Sequence, residues 1–285
     1  MKIALLSGKG GAGKTMLSVN LAAAAGHGTY IDCDVEEPNG RIFLRPASVQ
    51  RRSVCVPLPS FDPEKCTGCR KCVDFCRVHA LIYLKGAPML FPEVCHSCGG
   101  CALVCPEGAV TEVPKEVGTL EIGNVDALQV ITGELAPGEA SGVPIIHEAL
   151  GLAQGDLTVI DCPPGSACSV MECVKAADFC LLVAEPTAFG FHNLRMVHEL
   201  VCLFGKPCGV VINKADAPYA PLLDYCQDKN LPILAGGAGE PCADVPEIGK
   251  ARAEVASPRI FCSVWQCVPD GFLYSGGRLD LVLLL

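Results

Sequence analysis

Lys2-Ile3-Ala4-Leu5-Leu6-Ser7-Gly8-Lys9-Gly10-Gly11-Ala12-Gly13-Lys14-Thr15 is the stretch that decides the fold. A short apolar run, Lys2 to Leu6, stops at a glycine-rich turn. A helical stretch with Leu17, Leu21 and Ala25 on one side follows, and Thr29-Tyr30-Ile31 then leads into Asp32-Cys33-Asp34. Strand, loop, helix, strand is the opening of a parallel α/β sheet. Gly8 to Thr15 reads G-x-x-x-x-G-K-T, and its place after a strand and before a helix gives that pattern meaning. Glycines let backbone N–H groups curl round phosphate oxygens, and the helix N-terminus adds positive potential. Gly8, Gly10, Gly11, Ala12 and Gly13 would form the cradle, Lys14 would reach the β- and γ-phosphates, and Thr15 would ligate Mg²⁺. The competing reading is a turn that merely caps a helix. Its four fixed positions would arise by chance in roughly one such chain in a hundred.

Outward from the loop, the texture changes after Pro57. From Phe61 to about Pro114 there is little periodicity, and eight cysteines fall in two blocks. The first is Cys66-Thr-Gly-Cys69-Arg-Lys-Cys72-Val-Asp-Phe-Cys76. The second is Cys95-His-Ser-Cys98-Gly-Gly-Cys101-Ala-Leu-Val-Cys105-Pro106. Both are C-x₂-C-x₂-C-x₃-C, the spacing that lets one loop wrap an iron–sulfur cubane with three thiolates. One copy could hold zinc, but two intact copies argue for clusters. After Val117 the α/β rhythm returns, with strand-like runs at 157–160, 179–183, 209–212 and 232–234. Helical segments are predicted at 145–153, 170–177, 193–204 and 222–229. The expected layout is a doubly wound, mostly parallel sheet formed by residues 1–60 and 115–285, interrupted by a ferredoxin-like insert at 61–114. From Gly236 onward Gly and Pro are dense and no regular structure is predicted.

The chain has 285 residues, a net charge of −9 and 20 cysteines. An acidic balance with no basic run beyond Arg51-Arg52 argues against nucleic-acid binding, which needs a basic face. Met1-Lys2 leads into only four apolar residues, too few for a signal-peptide core, and no run approaches a membrane span. The expectation is a cytoplasmic protein without stable membrane insertion, its cysteines metal ligands or buried thiols rather than disulfides.

Lys9 makes the loop resemble the deviant phosphate loop of the MinD/ParA/nitrogenase-iron-protein class. With the cysteine blocks, the chain resembles MinD-superfamily P-loop ATPases that carry an inserted ferredoxin domain. The matches are Asp32-Cys-Asp-Val-Glu-Glu-Pro-Asn39, Cys95-His-Ser-Cys-Gly-Gly-Cys101, Thr132-Gly133 with Ser141-Gly-Val-Pro144, and Asp161-Cys-Pro-Pro-Gly-Ser-Ala-Cys168. The resemblance covers about residues 1–235. Beyond Leu234, either divergence or an out-of-frame reading would produce the unfamiliar tail.

The resemblance implies ATP with Mg²⁺ and a nucleotide-dependent homodimer. Lys9 would cross that interface to the partner's nucleotide, Asp34 would place the attacking water, and Asn39 would sit in switch I. Asp161 would hold Mg²⁺ through water, and the Gly165 N–H would sense the γ-phosphate. Asn213, in Asn213-Lys214-Ala215-Asp216, would meet the base; the tetrapeptide also reads as a guanine signature, so GTP stays open. Likeness to bacterial ferredoxins, where the fourth cysteine of each run ligates the other cluster, implies Cys66, Cys69, Cys72 and Cys105 on one [4Fe–4S]. Cys95, Cys98, Cys101 and Cys76 would hold the second. Arg77 stands where the first block would carry proline. Cys168 is read as a buried or interface thiol, with a bridging-cluster ligand as the minority reading. Functionally, the leading expectation is an ATPase whose nucleotide state gates electron transfer to an unnamed redox partner. The alternatives are an ATP-dependent cluster carrier or assembly factor, and a MinD-like positioning protein with structural clusters.

Overall fold

A computed structural model describes residues 1–215 and 217–236. Asp216, and the tail expected to be irregular beyond Gly236, lie outside the described residues. The chain opens with β1 (Lys2–Leu6), α1 (Lys14–Ala25), β2 (His27–Asp32) and the short α2 (Gly40–Leu44). The second half supplies α5 (Val143–Gly151), β8 (Thr158–Asp161), α6 (Cys168–Ala176) and β9 (Phe179–Ala184). It continues with α7 (Ala188–Leu203), β10 (Cys208–Ile212), α8 (Ala220–Asp228) and β11 (Ile233–Ala235). Each strand and helix expected there is present. Helix α7 begins five residues earlier than its apolar pattern, because Thr187 caps it by accepting from the Gly190 N–H.

Between the halves lie strands that periodicity did not announce. These are β3 (Val49–Phe61), β6 (Val110–Val125) and β7 (Ala127–Leu135), and they complete one sheet in the order β11-β10-β9-β1-β8-β2-β7-β6-β3. From β11 to β7 all neighbours are parallel; β6 and β3 then add antiparallel. Pro57 and Pro59 made β3 unreadable as a strand, yet β3 is the outermost member, where a missing N–H is tolerated. The ladder between β3 and β6 runs from Val49↔Gly123 to Phe61↔Val110 with one irregularity at Val54/Cys55. The boundaries expected at 60/61 and 114/115 therefore fall inside continuous strands.

Alternation along the central strands sends side chains to two cores. Ala4, Leu6, Ile31 and Ile160 pack with residues of α5 to α8, while Ile3, Leu5, Tyr30 and Val159 pack with α1 and Leu44 of α2. On α1 the expected Leu17–Leu21–Ala25 stripe packs on this core, with Ser18, Val19 and Ala22 buried beside Leu21. On the α2 side of the ladder, Glu121 of β6 is nearly buried and takes two arginines. Arg41 of α2 donates to its Oε2 at 2.7 Å, and Arg51 of β3 to its Oε1 at 2.9 and 2.7 Å.

Beyond Phe61 and before Val110 lie α3 (Lys71–Phe75), β4 (Leu81–Leu84), β5 (Ala87–Leu90) and α4 (Gly100–Leu103); β4 and β5 form a separate antiparallel pair.

Candidate functional site

The register Asp32↔Asp161 sets two carboxylates side by side at the carboxyl ends of β2 and β8, next to the loop that leaves β1. In open α/β sheets this is the edge where ligands bind. Gly13 caps α1 at φ 93° with no side-chain capping bond, so the first-turn N–H groups keep no side-chain partner and suit an anion. A Cβ on Gly13 would lie 2.0 Å from the Asn213 amide nitrogen. Asn213 in fact braces the loop, donating to the Ala12 carbonyl at 2.9 Å, and Lys214 donates to that of Gly11 at 2.6 Å.

Lys14 is buried and ion-paired with Asp161. Burial works against its charge, and Asp161 beside it more than compensates, so its pKa stands above the ordinary lysine value. The other Asp161 oxygen accepts from the Tyr30 hydroxyl at 3.0 Å. Burial first, then the Asp161 and Asp32 charges, push the Tyr30 phenol well up, so it acts as a donor. Asp32 was not among the expected functional residues. It accepts from the N–H groups of Asp34, Asn39 and Gly40 at 3.1, 3.0 and 2.8 Å. Burial and the adjacent Asp161 nevertheless raise its pKa. Asp34 lies just beyond β2, half-buried; burial chiefly, with Asp161, Glu37 and Glu36 adding and Lys14 opposing, pushes it up to about 6. The Asn39 side-chain oxygen is buried without a hydrogen-bond partner, an acceptor beside the acidic pair that a bound ligand could satisfy. Loop, buried lysine, paired carboxylates and orphaned acceptor together fit a Mg²⁺-nucleotide.

Two expected roles meet this conformation differently. The Gly165 N–H, expected to sense a γ-phosphate, donates instead to the Ser7 carbonyl at 2.9 Å. Lys9, expected to reach a partner's nucleotide, is held within its own chain. Its ammonium lies 2.5 Å from Glu185 and over the Phe189 ring at 5.3 Å. Lys214 shares Glu185 at 2.8 Å, and the Lys214 and Lys9 ammoniums hold that carboxyl below the usual range.

The cysteine module is internally two-fold in its backbone bonding. Residues 29 apart adopt the same left-handed conformation: Gly68 and Ser97, Arg70 and Gly99, His79 and Gly108. The Asp62 N–H donates to Ala109 and the Phe91 N–H to Ala80, both at 2.8 Å, so each half bonds across to the other. The terminal pairs Phe61↔Val110 and Leu81↔Leu90 obey the same shift. Cys66, Cys69, Cys72 and Cys105 line one open cavity with Phe61, Ala109 and Val110. In the other half Cys95, Cys98 and Cys101 are mutual neighbours; burial first, then the other two sulfurs, raises the Cys101 thiol. Cys76 holds the place in one half that Cys105 holds in the other, each donating its N–H back to the start of the same turn, at Val73 and Ala102. Among the described residues, no three His, Cys, Asp or Glu side chains close on a point as a single ion requires. Four sulfurs round a cavity are a donor set that fits an iron–sulfur cluster. Of the other described cysteines, Cys33, Cys162, Cys173, Cys180 and Cys226 are buried. Cys168, expected to be a buried or interface thiol, is exposed at the first turn of α6.

A model of the 4Fe-4S binding domain matches residues 59–82 and 88–111. The Methanocaldococcus jannaschii protein MJ0578, itself uncharacterized, is 32% identical over 220 residues, 75% of this chain and 78% of that one. Its neighbour in name, MJ0579, is 27% identical, over 75% and 80% of the two chains. The fold is similar to Pyrococcus furiosus cell division ATPase MinD, with a TM-score of 0.52 at 17% identity, covering 93% of this chain and 98% of that one. The chain belongs to the same family as MJ0578, with a MinD-like fold that carries a 4Fe-4S binding module.

In this member of the family, sequence reading missed Asp32, Tyr30 and Glu185 as parts of the nucleotide side. The doublet Asp32-Cys33-Asp34 closing an apolar strand was the available signal for the first. Tyr30 and Glu185 look like ordinary strand residues until the fold brings Asp161 and Lys9 to them. Among the described residues no helix is long and apolar enough to cross a membrane.

Proposed function

We propose that this protein hydrolyses ATP and couples its nucleotide state to electron transfer through two [4Fe–4S] clusters. Its working form would be a nucleotide-dependent homodimer in the cytoplasm. The observation that carries this reading is the β3–β6 ladder. One end lies in the ATPase sheet beside α2, and the other walls the cavity of Cys66, Cys69, Cys72 and Cys105. When bound, the clusters supply one-electron redox chemistry, held by those four cysteines and by Cys95, Cys98, Cys101 and Cys76. The cluster module is then the segment between the ends of that ladder, Phe61 and Val110, and the flanking residues the nucleotide-binding domain.

On the nucleotide side, Lys14 would exchange its Asp161 partner for phosphate, and Thr15 and Asp161, the latter through water, would hold Mg²⁺, which supplies charge neutralisation at the phosphates. Asp34 would orient water. Gly165 must leave the Ser7 carbonyl to meet a γ-phosphate, and Lys9 must leave Glu185 to reach across a dimer. Both exchanges tie hydrolysis to a closed state. ATP is favoured over GTP because the phosphate loop and the Asp34 and Asp161 segments resemble those of an ATP-using class, in which the residue at the Asn213 position meets adenine. The Pyrococcus horikoshii MinD structure, similar in fold with a TM-score of 0.50, is a complex with Mg-ADP.

The test is a pair of potentiometric titrations, with and without a non-hydrolysable ATP analogue, with nucleotide affinities for oxidised and reduced protein. A coupling of ~1–3 kcal/mol shifts a one-electron potential by roughly 40–130 mV. Linkage requires the same factor in nucleotide affinity. Equal potentials and equal affinities would refute coupling and favour ATP-dependent cluster carriage.

A further inference from the structure

Glu121 lies where the two halves of that reading meet. On one side, the Asn39 and Gly40 N–H groups at the start of α2 are tied to Asp32, whose register partner Asp161 holds Lys14. Gly40 also lies against Tyr30: a Cβ there would stand 2.1 Å from the phenol oxygen that donates to Asp161. Any rearrangement at Lys14 and Asp161 therefore presses on the first turn of α2. The next residue, Arg41, reaches Glu121 at 2.7 Å and lies 3.7 Å from Glu134 of β7. On the other side, Glu121 is paired in register with Arg51 of β3 and takes both its Nε and Nη2. The same two strands end at Phe61 and Val110 in the wall of the cysteine cavity.

We propose that the Glu121 carboxylate, shared by Arg41 of α2 and Arg51 of β3, is the joint through which nucleotide occupancy reaches the cluster-bearing end of the ladder. The inference rests on the coupling reading and names its route. Glu121 is a positioning residue, touching neither nucleotide nor sulfur. Its side chain is 9% exposed. A carboxylate so placed follows its cations, because losing one leaves it only partly compensated. Glu121 is the buried end of both pairs, the Arg41 and Arg51 side chains being 36% and 73% exposed, and a shift of α2 reaches β6 through that carboxylate.

The test uses the full, cluster-loaded chain with and without Mg²⁺ and a non-hydrolysable ATP analogue. Amide exchange over residues 110–125 and the cluster midpoint potentials are both read. In the wild type, nucleotide should change exchange across Glu121 at least threefold and shift a potential. Arg41→Gln should remove most of both responses while iron content and nucleotide affinity stay within about threefold of wild type. Arg41→Lys should restore part of them. Arg51→Gln, which removes two side-chain bonds to Glu121 but leaves Arg41 on it and the backbone ladder intact, should keep the nucleotide response. Unchanged responses in Arg41→Gln, or a wild-type potential shift with no exchange change in β6, would overturn the joint and leave coupling standing. A wild type with neither response would overturn both.

Discussion

Tyr30→Phe removes one oxygen from the middle of the nucleotide side and little else. The ring is wholly buried in β2, and its hydroxyl donates to Asp161, whose other oxygen pairs with Lys14. A hydrogen bond to a charged acceptor contributes about 1.5–3 kcal/mol. Asp161 keeps its lysine, so the lower part of that range applies, ~1.5–2 kcal/mol. For a domain of this size each kcal/mol moves Tm by about 2–4 °C, which gives an expected loss of roughly 3–8 °C in the nucleotide-free protein. The neighbouring Gly40 supplies an internal control. A Cβ there meets the phenol oxygen at 2.1 Å and two ring carbons at 2.7 Å. Gly40→Ala should cost about 1–3 kcal/mol by overpacking. In the Tyr30→Phe background the closest clash disappears but the ring contacts remain, so the cost should fall without vanishing. Scanning calorimetry of the four proteins gives the cycle, with a coupling of at least about 0.5 kcal/mol expected. A phenylalanine variant as stable as wild type, with strictly additive substitutions, would refute the role given to this hydroxyl.

Cys66→Ser should lose or convert one cluster and spare the other, lowering an iron content of about eight per chain, to about four where the cluster is lost; four irons in the wild type, or stoichiometric zinc, would defeat the assignment. Lys14→Ala should abolish hydrolysis, whereas Lys9→Ala should abolish it while sparing nucleotide binding, as turnover and equilibrium binding would report; normal turnover by Lys9→Ala would contradict the dimer. Asp34, at about 6 in the folded protein against 3.8 ordinarily, binds its proton more tightly when folded. The cost of ionising it is therefore full above pH 6 and fades towards pH 4, so the nucleotide-free protein should gain stability through this group as pH falls from 7 to 5. Asp34→Asn should flatten that part of the denaturation profile, and an unchanged slope would count against the shift.

Much of this was legible because it rests on local chemistry. Glycine spacing, the Lys14-Thr15 pair and the cysteine spacings are set by the shapes they must wrap, and the buried central strands are short apolar runs. What escaped depends on tertiary placement. β3 carries Arg51, Arg52, Pro57 and Pro59 because it is an edge strand, and its alternation is half dissolved by exposure. β6 holds Glu121 where a core residue would be expected, and only the arrival of Arg41 and Arg51 explains it. The intrachain capture of Lys9 by Glu185 joins residues far apart in sequence and leaves no periodic trace.

The pairing of Phe61 with Val110 has a further consequence for how separable the two halves are. The chain departs into the cysteine module and returns from it at directly opposed residues. Opposed Cα atoms in an antiparallel ladder lie about 4.5–5.5 Å apart, a gap that a two-residue turn closes. The module therefore occupies the tip of a β-hairpin, where everything from Asp62 to Ala109 could give way to an Asn-Gly turn without moving either strand. The same geometry makes the graft reversible: any sheet of this kind with a surface hairpin offers two adjacent ends onto which such a module can be spliced.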